Sequence, residues 1–115
     1  MNYNFSVGNG TYVPLINKTV FQSGTQINTD ATSNAITLPF AFSMYGEQMT
    51  NVYLSNNGFI TFGLAPTKTT IFSPISSSEI PADYVFSGLG NQIIASPVGT
   101  PEIAYGQNDN GDMVF

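Results

Sequence analysis

Val52-Tyr53-Leu54-Ser55-Asn56-Asn57-Gly58-Phe59-Ile60-Thr61-Phe62-Gly63 is the stretch that decides the fold, because two candidate turns sort its side chains differently. A two-residue loop at Asn57-Gly58 sets Leu54 opposite Thr61 and Ser55 opposite Ile60, mixing polar and apolar groups on both faces. A three-residue loop, Asn56-Asn57-Gly58, pairs Leu54 with Ile60 and Val52 with Phe62 on one face. It leaves Tyr53, Ser55, Phe59 and Thr61 on the other. The second arrangement also puts Gly58 where a type I turn followed by a left-handed residue needs a glycine, forming a bulge. The expectation is a β-hairpin with Val52, Leu54, Ile60 and Phe62 in the core and Tyr53 and Thr61 outside it.

Working outward, the period of two recurs. Ile36, Leu38, Phe40, Phe42 and Met44 share one face, with Thr37, Pro39, Ala41, Ser43 and Tyr45 on the other, which makes the strongest strand signal in the chain. Tyr3, Phe5 and Val7 alternate with Asn4 and Ser6 before Gly8-Asn9-Gly10, a strand followed by a turn. Tyr12, Val13, Leu15 and Ile16 are split by Pro14, which cannot donate to a ladder, so this piece is an edge or irregular. Val20-Phe21 is a short apolar pair, and residues 22–34 are polar enough to form a surface loop. Residues 65–82 hold three prolines and Ser76-Ser77-Ser78, a long connection anchored by Ile71-Phe72 and Ile75. Tyr84-Val85-Phe86 and Ile93-Ile94-Ala95 are short apolar runs, and Ile103 with Tyr105 opens another alternation. Residues 107–112 form a turn, and Met113-Val114-Phe115 starts a strand on which the sequence ends. No apolar stripe at helical spacing lasts a helix's length. The fold class expected is all-β, an antiparallel β-sandwich, jelly-roll-like or immunoglobulin-like.

A length of 115 residues fits one domain, spanning residues 1–115, whose C-terminal end reads as incomplete. A strand that stops without a partner predicts that the rest of a longer chain, or another subunit, completes the sheet. Charge narrows the function. Only 8% of residues are charged, Lys18 and Lys68 are the sole cations, and the net charge is −5. Nucleic-acid binding draws most of its affinity from cations on phosphates, so that class is excluded, and an anionic membrane surface is disfavoured for the same reason. No segment approaches the apolar length of a membrane span, and the N-terminus lacks the basic and apolar regions of an export signal. The expected settings are therefore a secreted or cell-surface protein whose leader is not in this sequence, or the surface of a virus particle. With no cysteine, there is neither a disulfide nor a thiolate metal site.

Three short motifs carry a resemblance: Tyr3-x-Phe5 with Gly10-Thr11-Tyr12, Asn57-Gly58-Phe59-x-x-Phe62-Gly63, and Pro101-Glu102-Ile103-x-Tyr105. Together they are similar to the β-sandwich domain near the mature N-terminus of secreted, surface-exposed proteins of Bacteroidetes. The resemblance implies a sandwich in large cell-surface proteins, in company with adhesive and repeat domains, and it brings no catalytic residue. The chain departs from that pattern in lacking an export signal and in ending before the further strands of such domains.

The residue inventory argues against catalysis. There is no His, Cys or Arg, the usual bases and nucleophiles, so the expectation is no enzyme and no catalytic residue. Glu79 and Asp83 are the nearest approach to a carboxylate pair, and Pro81 between them marks a solvated loop. Asn108-Asp109-Asn110-Gly111-Asp112 has closely spaced oxygens and a glycine, as calcium loops do, which makes Asp109 and Asp112 the candidate metal ligands. Without the terminal bidentate Glu of such loops, a plain hairpin turn explains the same residues better, and no cofactor is expected. The Asn-x-Thr triplets at Asn9 and Asn17 read as turn residues. Tyr45, Tyr53 and Phe59 point away from the more apolar face and are candidates for stacking on surface glycans, against the commoner role of isolated aromatics on a sheet. The function expected is a structural or adhesive surface module. A virion fibre component and a carbohydrate-binding accessory domain are the alternatives.

Overall fold

The computed structural model describes residues 5–67, 84–87, 94 and 97–115. Among the described residues, seven strands follow in chain order: β1 (Thr19–Ser23), β2 (Ile36–Met44), β3 (Glu47–Ser55), β4 (Phe59–Phe62), β5 (Val85–Ser87), β6 (Glu102–Gln107) and β7 (Met113–Val114), with a short 3-10 helix (Gly24–Asn28) after β1. They form a three-stranded sheet, β1-β6-β7, and a four-stranded sheet, β2-β3-β4-β5, with every pairing antiparallel. The sheets pack face to face. Ile36, Leu38, Val52 and Leu54 of the larger sheet form the buried cluster, with Ile60 and Phe62 beside them, and Phe21, Ile103, Tyr105 and Met113 close it from the smaller sheet. The all-β sandwich expected from the period-two pattern is the fold.

The central hairpin adopts the three-residue loop. Val52 faces Phe62, Leu54 faces Ile60 and Ser55 faces Phe59, while Gly58 takes a φ of 77° at the loop's end. One expectation needs correcting: Thr61, assigned to the outside, is fully buried, and Met49, Ser55 and Phe59 on the same face are buried with it. The face that the pattern marks as more polar is covered as well, and the Thr61 hydroxyl tolerates this by donating to the Leu64 carbonyl at 2.9 Å.

β2 has the expected bounds, but its five apolar positions do not all point inward. Ile36 and Leu38 are buried, whereas Phe40 is exposed, and the register with β3 shifts between Thr37 and Phe42. Pro39 lies in that interval and has no N–H to give the ladder, a sufficient cause for the irregularity.

The smaller sheet departs most from expectation. Val20-Phe21, read only as an apolar pair, is the middle of β1, and Val20 pairs with Ala104. Residues 5–18 form no strand, and Phe5 and Val7 are exposed, so the part of the N-terminal alternation within the described residues does not become a ladder. A period of two states which face each side chain takes, while a strand also needs a neighbour for its backbone groups. Nor are residues 22–34 simply a surface loop, since Gln22 and Ile27 are buried. The chain before β1 crosses close over β6: a Cβ on Gly106 would sit 2.4 Å from the Asn17 carbonyl oxygen. The anchors Ile71, Phe72, Ile75 and the run at Ile93 lie outside the described residues. Among the described residues, no helix is long and apolar enough to cross a membrane.

Candidate functional site

Two clusters of side chains stand out, and their chemistry separates them. The first surrounds the β3–β4 loop. The Asn56 Oδ1 accepts from the Ala31 N–H at 3.0 Å, and its Nδ2 donates to Gln22 Oε1 at 2.8 Å, to the Ile27 carbonyl at 3.4 Å and to the Thr29 carbonyl. Asn57 Nδ2 donates to Asp30 Oδ1 at 3.0 Å, and the Leu54 N–H donates to Ser33 Oγ at 2.9 Å. Backbone bonds run in parallel, from Ser33 N–H to the Leu54 carbonyl and from Asn56 N–H to the Ala31 carbonyl. Asn56 and Asn57 are both almost wholly buried. An asparagine offers two donor hydrogens and an acceptor oxygen, and Asn56 uses both kinds inside the protein. This cluster is a clamp that fastens residues 22–33 to the hairpin.

The second cluster is an open aromatic cleft of about 630 Å³, lined by Met44, Tyr45, Tyr84, Val85 and Phe86. β2 turns into β3 through Tyr45-Gly46, whose φ angles of 50° and 88° are both left-handed, as a two-residue type I′ hairpin requires. Tyr84, with a φ of 58°, enters β5 and accepts a hydrogen bond at its carbonyl from Phe62 N–H at 3.1 Å. The two rings lie near-parallel, with centroids 6.0 Å apart and planes 25° apart. Next to them the exposed Phe86 meets Phe62 edge to face, with centroids 5.5 Å apart. Both separations fall in the range favoured by the aromatic quadrupole.

The aromatics picked out from the sequence do not come together. Tyr45 lines the cleft from the turn rather than from a strand face. Tyr53 is half-buried in mid-β3, and Phe59, at 4% exposure, has no ring face to offer a ligand. Tyr84 and Phe86, which complete the cleft, were legible only as a short apolar run; nothing in the sequence tells that they meet Tyr45.

Asp109 and Asp112 sit in the β6–β7 hairpin. Asn108 Oδ1 accepts from the Asn110 N–H at 3.0 Å and the Asp112 N–H at 2.9 Å, and Asn108 Nδ2 donates to Asp112 Oδ2 at 3.1 Å. Gln107 Nε2 donates to the Gly111 carbonyl at 2.8 Å. The side chain central to the loop thus directs its oxygen at backbone N–H groups, which is Asx-turn chemistry. Asp109, between Asn108 and Asn110 in this turn, is exposed. Among the described residues, no three His, Cys, Asp or Glu side chains gather. Glu79 and Asp83 lie outside the described residues.

In comparison with known families, the family model described as NIDO related aligns with residues 2–94, which takes in β1 to β5. No curated protein and no solved structure matches the chain.

Proposed function

The chain belongs to the NIDO-related family, and from that premise we propose that it is a non-enzymatic, adhesive module of an extracellular assembly, working by shape and neutral polar contact. The observation that carries this reading is the family match over residues 2–94, most of the chain. Its surface chemistry supports the same reading. Two lysines and no arginine or histidine leave Asn, Ser, Thr, Gln and Gly to keep the chain soluble, and such a surface contacts partners by hydrogen bonds and packing rather than by ion pairing. The densest polar cluster, around Asn56, is engaged in holding the fold. The finer setting, a surface protein of Bacteroidetes, is supported by the resemblance that the short motifs at Gly10, Asn57 and Pro101 carry.

Brief protease treatment of intact source cells tests the placement. Peptides of this chain should be released without lysis, and their recovery only after lysis would overturn the extracellular reading. Turnover of a polysaccharide or peptide by the purified chain would overturn its non-enzymatic part.

A further inference from the structure

Among the described residues, Tyr45 and Tyr84 are the two non-glycine residues with positive φ, and they are also each other's ring neighbours. A side chain with a Cβ is disfavoured in that region, and the first position of a type I′ turn prefers Asn or Asp before Gly. Burial does not compensate at Tyr45, which is 71% exposed. Two disfavoured backbones, distant in sequence, therefore hold two rings side by side at an open cleft, and strain of this kind collects where a ligand is held.

The cleft's chemistry says what that ligand is. Among the described residues, the lining is Met44, Tyr45, Tyr84, Val85 and Phe86, and none of these five side chains offers an ionic partner. The rings offer flat apolar faces, while the two phenol hydroxyls offer polar tips that both donate and accept. A ligand matching both features has an apolar C–H face rimmed by hydroxyls, which describes a pyranose ring. The volume of about 630 Å³ lies within the usual span of small-molecule sites.

We propose that the cleft binds a neutral glycan by stacking a pyranose ring on Tyr45, Tyr84 and Phe86. The inference deepens the adhesive reading above by naming what is gripped and where.

The test uses the full chain and an immobilised panel of neutral tetrasaccharides of glucose, galactose, mannose and N-acetylglucosamine in both anomeric linkages, with tyrosine fluorescence as the solution readout, since the chain has no Trp. At least one member of the panel should bind. Tyr45→Asn keeps the turn in its preferred chemistry and should weaken binding at least tenfold without lowering Tm. Tyr84→Gly should do the same, and Tyr53→Ala should leave binding unchanged. No binding across the panel, or equal binding by the Tyr45 and Tyr84 variants, overturns the proposal. An aromatic peptide that binds where the sugars do not overturns it in favour of a protein partner. The surface-protease experiment separates the two readings: release from intact cells without glycan binding removes this inference alone, and glycan binding by a chain released only on lysis removes the extracellular role alone.

Discussion

The side-chain amide of Asn56, in the β3–β4 loop of the larger sheet, donates to Gln22 Oε1 on β1 of the smaller sheet at 2.8 Å, across 34 residues of chain. The contact is polar, buried and bridges the two layers of the sandwich. Asn56→Ala removes it and leaves the Gln22 Oε1 acceptor and the Ala31 N–H without their present partners. Buried groups left unpaired cost about 1–3 kcal/mol each, so a total loss of about 2–4 kcal/mol is expected in urea denaturation after partial relaxation. A loss below about 0.5 kcal/mol, the range of surface substitutions, would show that the clamp is not holding the sheets.

Leu54→Ala should cost about 2–5 kcal/mol, as truncation of a buried leucine does. Its neighbour Tyr53, half-buried on the opposite face of β3, should lose less on the same substitution. Denaturation midpoints of the two variants give the comparison directly, and reversal of their order would contradict the observed register.

Tyr45→Asn should raise stability by about 0.5 kcal/mol. Relief of a left-handed backbone is worth about 1–2 kcal/mol, and loss of the Tyr45–Tyr84 ring contact offsets about 0.5–1.5 kcal/mol of that. Because the ring is mostly exposed, its contribution belongs at the low end. Calorimetry that shows Tm falling would mean that the ring contact outweighs the strain.

Gly106→Ala should destabilise by about 1–3 kcal/mol, the usual cost of overpacking. The new methyl would meet the Asn17 carbonyl oxygen at 2.4 Å and the Lys18 Cα at 3.3 Å, both backbone atoms that cannot rotate aside. A circular-dichroism melt coincident with the parent would show that residues 17–18 do not pass over β6 as described.

The hairpin from Val52 to Phe62 was legible because a single glycine and strict alternation leave one register that separates polar from apolar. Alternation could not reveal that both faces of β3 and β4 are covered, so Thr61 was placed outside. It also gave Phe5 and Val7 a strand they do not form, since the pattern holds no information about a partner. Gln22 and Asn56 look like ordinary loop residues in the sequence, and their role exists only once the two sheets meet. The cleft was half legible: alternation turned Tyr45 away from the more apolar face of its strand, but its left-handed turn and its approach to Tyr84 are tertiary facts.

The order β1-β6-β7 has a mechanical consequence. β6 runs antiparallel to both of its neighbours, so β1 and β7 point the same way on either side of it. Tension applied through the two flanks of the chain pulls β1 backwards from Thr19 and β7 forwards from Val114, in opposite directions along the strand axis. The ladders on each side of β6 then bear the pull in shear, with their bonds loaded together rather than peeled one after another. Rupture under force follows the height of the unfolding barrier rather than the equilibrium stability, and shear raises that barrier. A module with this topology resists tension drawn along its own chain.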